Sequence, residues 1–137
     1  MYLRTMEEAR LKDPRGLIWL VNVPGTRRER MRGLLGSPAL PTCAGMLFLG
    51  CRSIHTRRMR FPIDAVFLDR TFRAVDVRPV PPGRWLVRRA DAEHVMEVAA
   101  GSGLRPGDVL ELLCPAAVPV AILPRLLPAG GEPAPIV

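Results

Sequence analysis

Lysine is nearly missing from this sequence. Lys12 is the only one, so the formal net charge of +7 rests on arginine. The arginines are scattered, with small clusters at Arg27, Arg28, Arg30 and Arg32, at Arg57, Arg58 and Arg60, and at Arg88 and Arg89. Aromatic residues are also scarce: two Trp, one Tyr and four Phe. Nucleic-acid binders gain salt-dependent affinity from such charge, but they usually add aromatic platforms for the bases. A solvated basic face is therefore expected, and nucleic acid is not the expected partner. No apolar run approaches the ~20 residues of a spanning helix, so no membrane partner is expected. The opening MYLRTMEEARLKDPRG mixes acids and bases and lacks the apolar stretch of a secretory signal, which points to a cytoplasmic location. Cys43, Cys51 and Cys114 are odd in number and without paired spacing, as expected for free thiols in a reducing compartment. Histidine is limited to His55 and His94, which make no recognisable ligand spacing with Asp64 or Glu97, so no metal is expected. A phosphate-cradling glycine loop, a zinc cluster and a nucleophile elbow are likewise missing, and no cofactor is expected.

What is present suffices for one folded domain. The chain has 137 residues, 48% of them hydrophobic, enough to bury a core and to exclude disorder throughout. The densest apolar stretch, residues 45–69, also holds Cys51, His55, Arg57, Arg58, Arg60 and Asp64. From Met59 the odd positions Met59, Phe61, Ile63, Ala65 and Phe67 are apolar. The even positions turn apolar at Val66 and Leu68. That period of two reads as extended chain whose second half is buried on both faces.

Residues 1–16 read as a polar extension with a helical turn around Met6 to Leu11. Leu17–Val23 is a strand ended by Pro24-Gly25. Thr26-Arg27-Arg28-Glu29 is a capping box, and Met31, Leu34 and Leu35 form one apolar stripe, so a short amphipathic helix is expected over residues 27–35. Further strands are expected at Met46–Leu49, Phe72–Val80, Trp85–Arg89, His94–Val98 and Asp108–Leu113. Pro79, Pro81, Pro82 and Gly83 make a rigid loop between two of them. From Cys114 to Val137 a Pro/Ala-rich tail begins, where prolines rule out most regular structure. Seven or eight short strands with one helix and no βαβ alternation predict a mainly antiparallel β domain over residues 17–113, a compact barrel or sandwich.

Thr26…Arg32-Gly33-Leu34-Leu35, then Gly45-Met46-Leu47-Phe48, then Ile54-His55-Thr56…Met59-Arg60-Phe61-Pro62-Ile63-Asp64…Phe67-Leu68-Asp69 resembles the domain of unknown function 192 family. A common variant of that family's core reads I-H-T-x-x-M-x-F-P-I-D. Val95-Met96-Glu97-Val98-Ala99-Ala100-Gly101 and Gly107-Asp108 resemble its V-L-E-L-P-A-G and G-D elements. The resemblance spans about residues 17–113 and implies a small, mostly β domain of bacteria and archaea without an established biochemical role. Three departures stand out: the hairpin near Arg70-Thr71 lacks the usual glycine, Ala99 replaces a proline, and the segment before Gly107-Asp108 is short.

The candidate ligand-binding residues are His55, Thr56, Arg57, Arg58, Asp64 and Glu97; no catalytic residue is assigned. Asp64 follows a proline and precedes an apolar run, so its carboxylate must be hydrogen-bonded, either as a site group or as an anchor on backbone amides. Asp108 is expected to cap a turn. Three function classes follow. The first is a non-catalytic binding module for an anionic small molecule or a peptide, because arginine forks suit carboxylate and phosphate. The second is a hydrolase using His55 and Asp64, or Cys51. The third is nucleic-acid binding by the arginines. The binding module is the preferred reading.

Overall fold

The computed structural model describes residues 7–24, 42–57 and 59–113. The helix expected over 27–35, Arg58 and the tail from 114 lie outside the described residues. Within them the chain is mainly β. Its strands are β1 (Glu7–Lys12), β2 (Ile18–Val23), β3 (Ala44–Leu49), β4 (Ser53–Ile54), β5 (Ile63–Leu68), β6 (Ala74–Val80), β7 (Val87–Arg88), β8 (His94–Ala99) and β9 (Glu111–Leu112). Seven of them form one sheet in the order β6-β5-β8-β3-β2-β1-β9, and β4 pairs with β7 separately. The pairings are antiparallel except β2 with β3. No helix among the described residues is long and apolar enough to cross a membrane.

Burial follows the sequence pattern. In β2 exposed and buried residues alternate, because only one side meets the core. In β5 every residue is buried, Asp64 included, the pattern of a strand covered on both faces. Leu47, Leu49, Val66, Leu68, Met96 and Val98 pack on one side of the sheet with Leu11, Val21 and Val23. Met46, Phe48, Ile63, Ala65, Phe67 and Val95 face the other side. There they are covered by Ile54, Met59 and Val87 from the segments around β4 and β7.

The strands expected at Trp85–Arg89 and Asp108–Leu113 shorten to Val87–Arg88 and Glu111–Leu112, and two further places differ from the sequence expectation. Glu7–Lys12 is a strand, not a helical turn. It pairs with β2 over its whole length and with β9 at its end, and Ala9 and Leu11 enter the core. Alternation at two buried positions is too short a pattern to separate from helical spacing. The other place is the hairpin after β5, where Phe72 takes the left-handed φ of 64° normally left to glycine. The strain, on the order of 1 kcal/mol, is held by neighbours. The Asp69 carboxylate accepts from the amides of Thr71 and Arg73, at 2.8 and 3.1 Å, and from the Thr71 hydroxyl at 2.7 Å. Burial raises the Asp69 pKa, but these hydrogen bonds outweigh it and hold the group below the usual carboxylate range. The Phe72 ring is buried and meets the His94 ring edge-on at 5.2 Å.

Gly45 is required by close approach. A Cβ there would collide with the backbone carbonyl of Glu97 and lie 2.8 Å from Cγ1 of Val98. Gly45→Ala should therefore destabilise the domain by about 1–3 kcal/mol, read as a lower midpoint in urea with an unchanged slope.

Candidate functional site

Five of the six residues singled out in the sequence lie among the described ones, and the sheet does not bring those five together. Asp64 lies opposite Val98 in the sheet register, whereas Glu97 lies opposite Ala65. Neighbouring positions on a strand face opposite ways, so the two carboxyls project from opposite sides of the sheet. Oδ2 of Asp64 accepts hydrogen bonds from the amide and hydroxyl of Ser102, at 3.0 and 2.6 Å. That loop is tied in turn to the β1–β2 turn, where Arg15 donates to the Gly103 carbonyl at 2.8 Å. Asp13 holds this turn. Its carboxylate accepts from the amides of Arg15 and Leu17 and from the Trp19 indole. Burial raises its pKa, but these bonds and the Arg15 side chain outweigh it and lower it overall. Asp64 thus sits in a chain of contacts that docks loops onto the sheet.

His55 is exposed. It belongs to the segment whose Ile54 and Met59 cover the other side of the sheet, away from Asp64. Cys43 and Cys51 are free thiols and only partly buried. Among the described residues no group of three or more His, Cys, Asp and Glu is placed to hold a metal ion. Asp108 accepts from the Arg105 amide at 2.9 Å and caps its turn.

Glu97 is buried between its cross-strand neighbours Met46 and Ala65. The next position in that row is Arg78 on β6. Two strand spacings put its backbone roughly 10 Å away. Burial alone pushes the Glu97 carboxyl from its ordinary 4.5 up to about 8, so the neutral acid prevails at pH 7.

Thr56, fully buried, is the hub of a different arrangement. Its hydroxyl donates to the Pro81 carbonyl at 2.7 Å and accepts from the Arg84 amide at 2.9 Å. Its own amide donates to the Arg84 carbonyl, and its carbonyl accepts from the Gly83 amide, both at 2.8 Å. Four bonds from one residue clamp the rigid Pro81–Arg84 loop onto the segment after β4. Next to it the Arg57 guanidinium lies 3.8 Å from the centre of the Trp85 ring, a cation–π stack.

Beside this clasp lies an open groove of about 480 Å³, lined by Arg78, Pro79, Val80, Pro81, Arg84, Leu86, Val87 and Arg88. Arg78 is held by an ion pair to Asp76 at 2.9 Å and lies over the Phe67 ring. Among the described residues nothing pairs with the guanidinium groups of Arg84 and Arg88. The sequence reading missed these lining residues because it followed the densest motif. The available signal was the proline-rich loop running straight into Arg84-Trp85-Leu86, a large apolar pair flanked by arginine.

A mainly β domain, with a seven-stranded sheet, a separate two-stranded one and a loop-clasped basic groove, is the class of protein these observations define. Its family follows from comparison. The family model DUF192, described as "Uncharacterized ACR", matches residues 10–112, and the chain belongs to that family. No curated protein matches the chain. A crystal structure from Sinorhizobium meliloti 1021, given only the provisional description of a transcription regulator, is similar with a TM-score of 0.69 and 22% identity. The match covers 82% of this chain and 98% of that one. A protein of unknown function from Novosphingobium aromaticivorans DSM 12444 is similar with a TM-score of 0.65 and 22% identity, over 76% of this chain and 83% of that one. These likenesses establish the fold.

Two outcomes follow. A carboxyl whose folded pKa stands above its unfolded value penalises the fold once the unfolded chain ionises. Stability should fall as pH rises from 4.5 to about 8 and then level off. Glu97→Gln should therefore gain stability over the wild type across that window and match it near pH 4, in denaturant titrations at several pH values. Thr56→Val keeps the shape but leaves the Pro81 carbonyl and the Arg84 amide without their partner. It should cost about 1–3 kcal/mol and speed hydrogen exchange at the Gly83 and Arg84 amides.

Proposed function

We propose that this protein is a non-catalytic binding module that takes an anionic ligand, a small molecule or a peptide segment, into the groove between the end of β6 and residues 84–88. The observation that carries the reading is the lining. Three arginines line one concavity whose described lining includes no carboxylate, and among the described residues only Arg78 of the three has an ion-pair partner. Guanidinium forks bind carboxylate and phosphate oxygens through paired charge-assisted hydrogen bonds. The remaining lining residues are proline, valine and leucine. Arginine stays protonated at neutral pH, so this lining supplies no proton shuttle or nucleophile, which favours binding over hydrolysis. Asp64, with its carboxylate engaged by Ser102, and the exposed His55 support the same preference.

Nucleic-acid binding is the second reading. The charge of +7 favours it, and so does the provisional regulator description of the S. meliloti protein. Against it, Trp85, the one large exposed aromatic among the described residues, already has Arg57 stacked on its ring.

Calorimetric titration with pyrophosphate and with citrate tests the proposal. Binding should weaken about tenfold or more in Arg84→Ala and in Arg88→Ala, the loss of one charge-assisted bond, and should weaken as salt rises. Arg105→Ala, outside the groove, should bind as the wild type does. Equal affinity of all three variants would remove the groove from the function.

A further inference from the structure

We propose that the natural occupant of this groove is an extended acidic segment of a partner protein, with an apolar side chain flanked by two acidic ones at alternate positions. This rests on the anion-binding reading above and deepens it.

Arg84, Leu86, Val87 and Arg88 line the groove, while Trp85 does not and lies instead against Arg57. Along the chain the lining residues thus run charge, apolar pair, charge. In an extended peptide alternate side chains share one face, so acid, apolar, acid at alternate positions presents the matching order to the groove.

Exposure points the same way. Trp85 and Leu86 are 72% and 67% exposed, against 40–47% for the other large apolar residues on the described surface. A free inorganic anion would occupy the guanidinium groups and leave Leu86 in water. A peptide side chain seated on Leu86 and Val87 would bury it between flanking arginines, a residue type enriched at binding hot spots.

Preorganisation lowers the cost of such binding. The Thr56 clasp and the fixed backbone angles of Pro79, Pro81 and Pro82 hold the groove's shape before a ligand arrives. β6 ends the sheet, and β7 pairs only with β4 among the described residues. Pro79, however, offers no amide to an added strand. Side-chain forks, more than strand addition, therefore carry the recognition.

The test uses the full chain and blocked, fluorescein-labelled peptides read by anisotropy. The first peptide repeats aspartate, serine, leucine, serine. Its controls replace leucine with serine, replace aspartate with asparagine, or permute the same composition so that the acids adjoin. Oligothymidylate of matching charge competes. The first peptide should bind at least about tenfold tighter than each control, the worth of one buried side chain or one charged contact. Leu86→Ser should erase the preference for leucine, whereas Arg105→Ala, outside the groove, should leave both peptide and pyrophosphate binding unchanged. If the serine or permuted peptide binds as well as the first, the peptide inference falls while the anion reading stands. Tighter binding of oligothymidylate overturns the peptide in favour of nucleic acid. Failure of every peptide beside intact pyrophosphate binding also ends the peptide inference alone. Failure of pyrophosphate and citrate as well ends both.

Discussion

Strand β5 is hydrogen-bonded along both edges, to β6 and β8, and buried on both faces. Much of the molecule answers that constraint. A strand without a wet side needs cover above and below, and each polar atom on it needs a partner. On one side the cover comes from the apolar residues of β1, β2 and the Phe72 turn. Asp64, the one acid in the strand, is met there by Ser102. On the other side the cover comes from the short β4–β7 pair and its flanking segments. Holding that second layer in place is the task of Thr56, and the groove lies beside the joint it makes with residues 81–84. The candidate site is thus a consequence of how the far face of β5 is closed.

The buried and half-buried carboxyls divide by the same logic. Asp13 and Asp69 collect amide, indole and hydroxyl donors, which outweigh burial and favour the charged form. Each fixes a tight turn at the end of a hairpin. Among the described residues Glu97 has no such shell, and burial raises its pKa. A neutral acid among Met46, Ala65 and their neighbours behaves as a polar member of the core. Its elevated pKa is therefore a property of packing, and the groove's charge comes from arginine only.

Several elements were legible in the residues. The strands Ile18–Val23, Ala44–Leu49, Ala74–Val80 and His94–Ala99 were visible as apolar runs between turn residues, and β5's double burial was visible in Val66 and Leu68 joining the odd positions. Asp108 as a turn cap was also readable. The mainly β class followed from the lack of βαβ alternation. What misled was proximity. His55, Arg57 and Asp64 crowd together in sequence, but the strand period turns Asp64 to one face while the preceding segment crosses to cover the other. Glu97 is excluded from Asp64 by a single step of register. Phe72 shows a different gap: the sequence lacks a glycine at this turn, but the left-handed backbone that replaces it depends on Asp69, His94 and the core beneath the ring.

By itself, the sequence determined which segments are extended, which residues are apolar enough to be covered, and the family those motifs mark. Such features are local: alternation, turn chemistry and motif order act over a few neighbouring residues. Only the tertiary structure decided which polar groups meet. Thr56 and Arg84 are 28 positions apart, Asp64 and Ser102 are 38 apart, and the groove joins residues from both sides of a proline loop. Those meetings are set by sheet order and by which face each strand turns inward, quantities that depend on every pairing at once and that no short window of residues encodes.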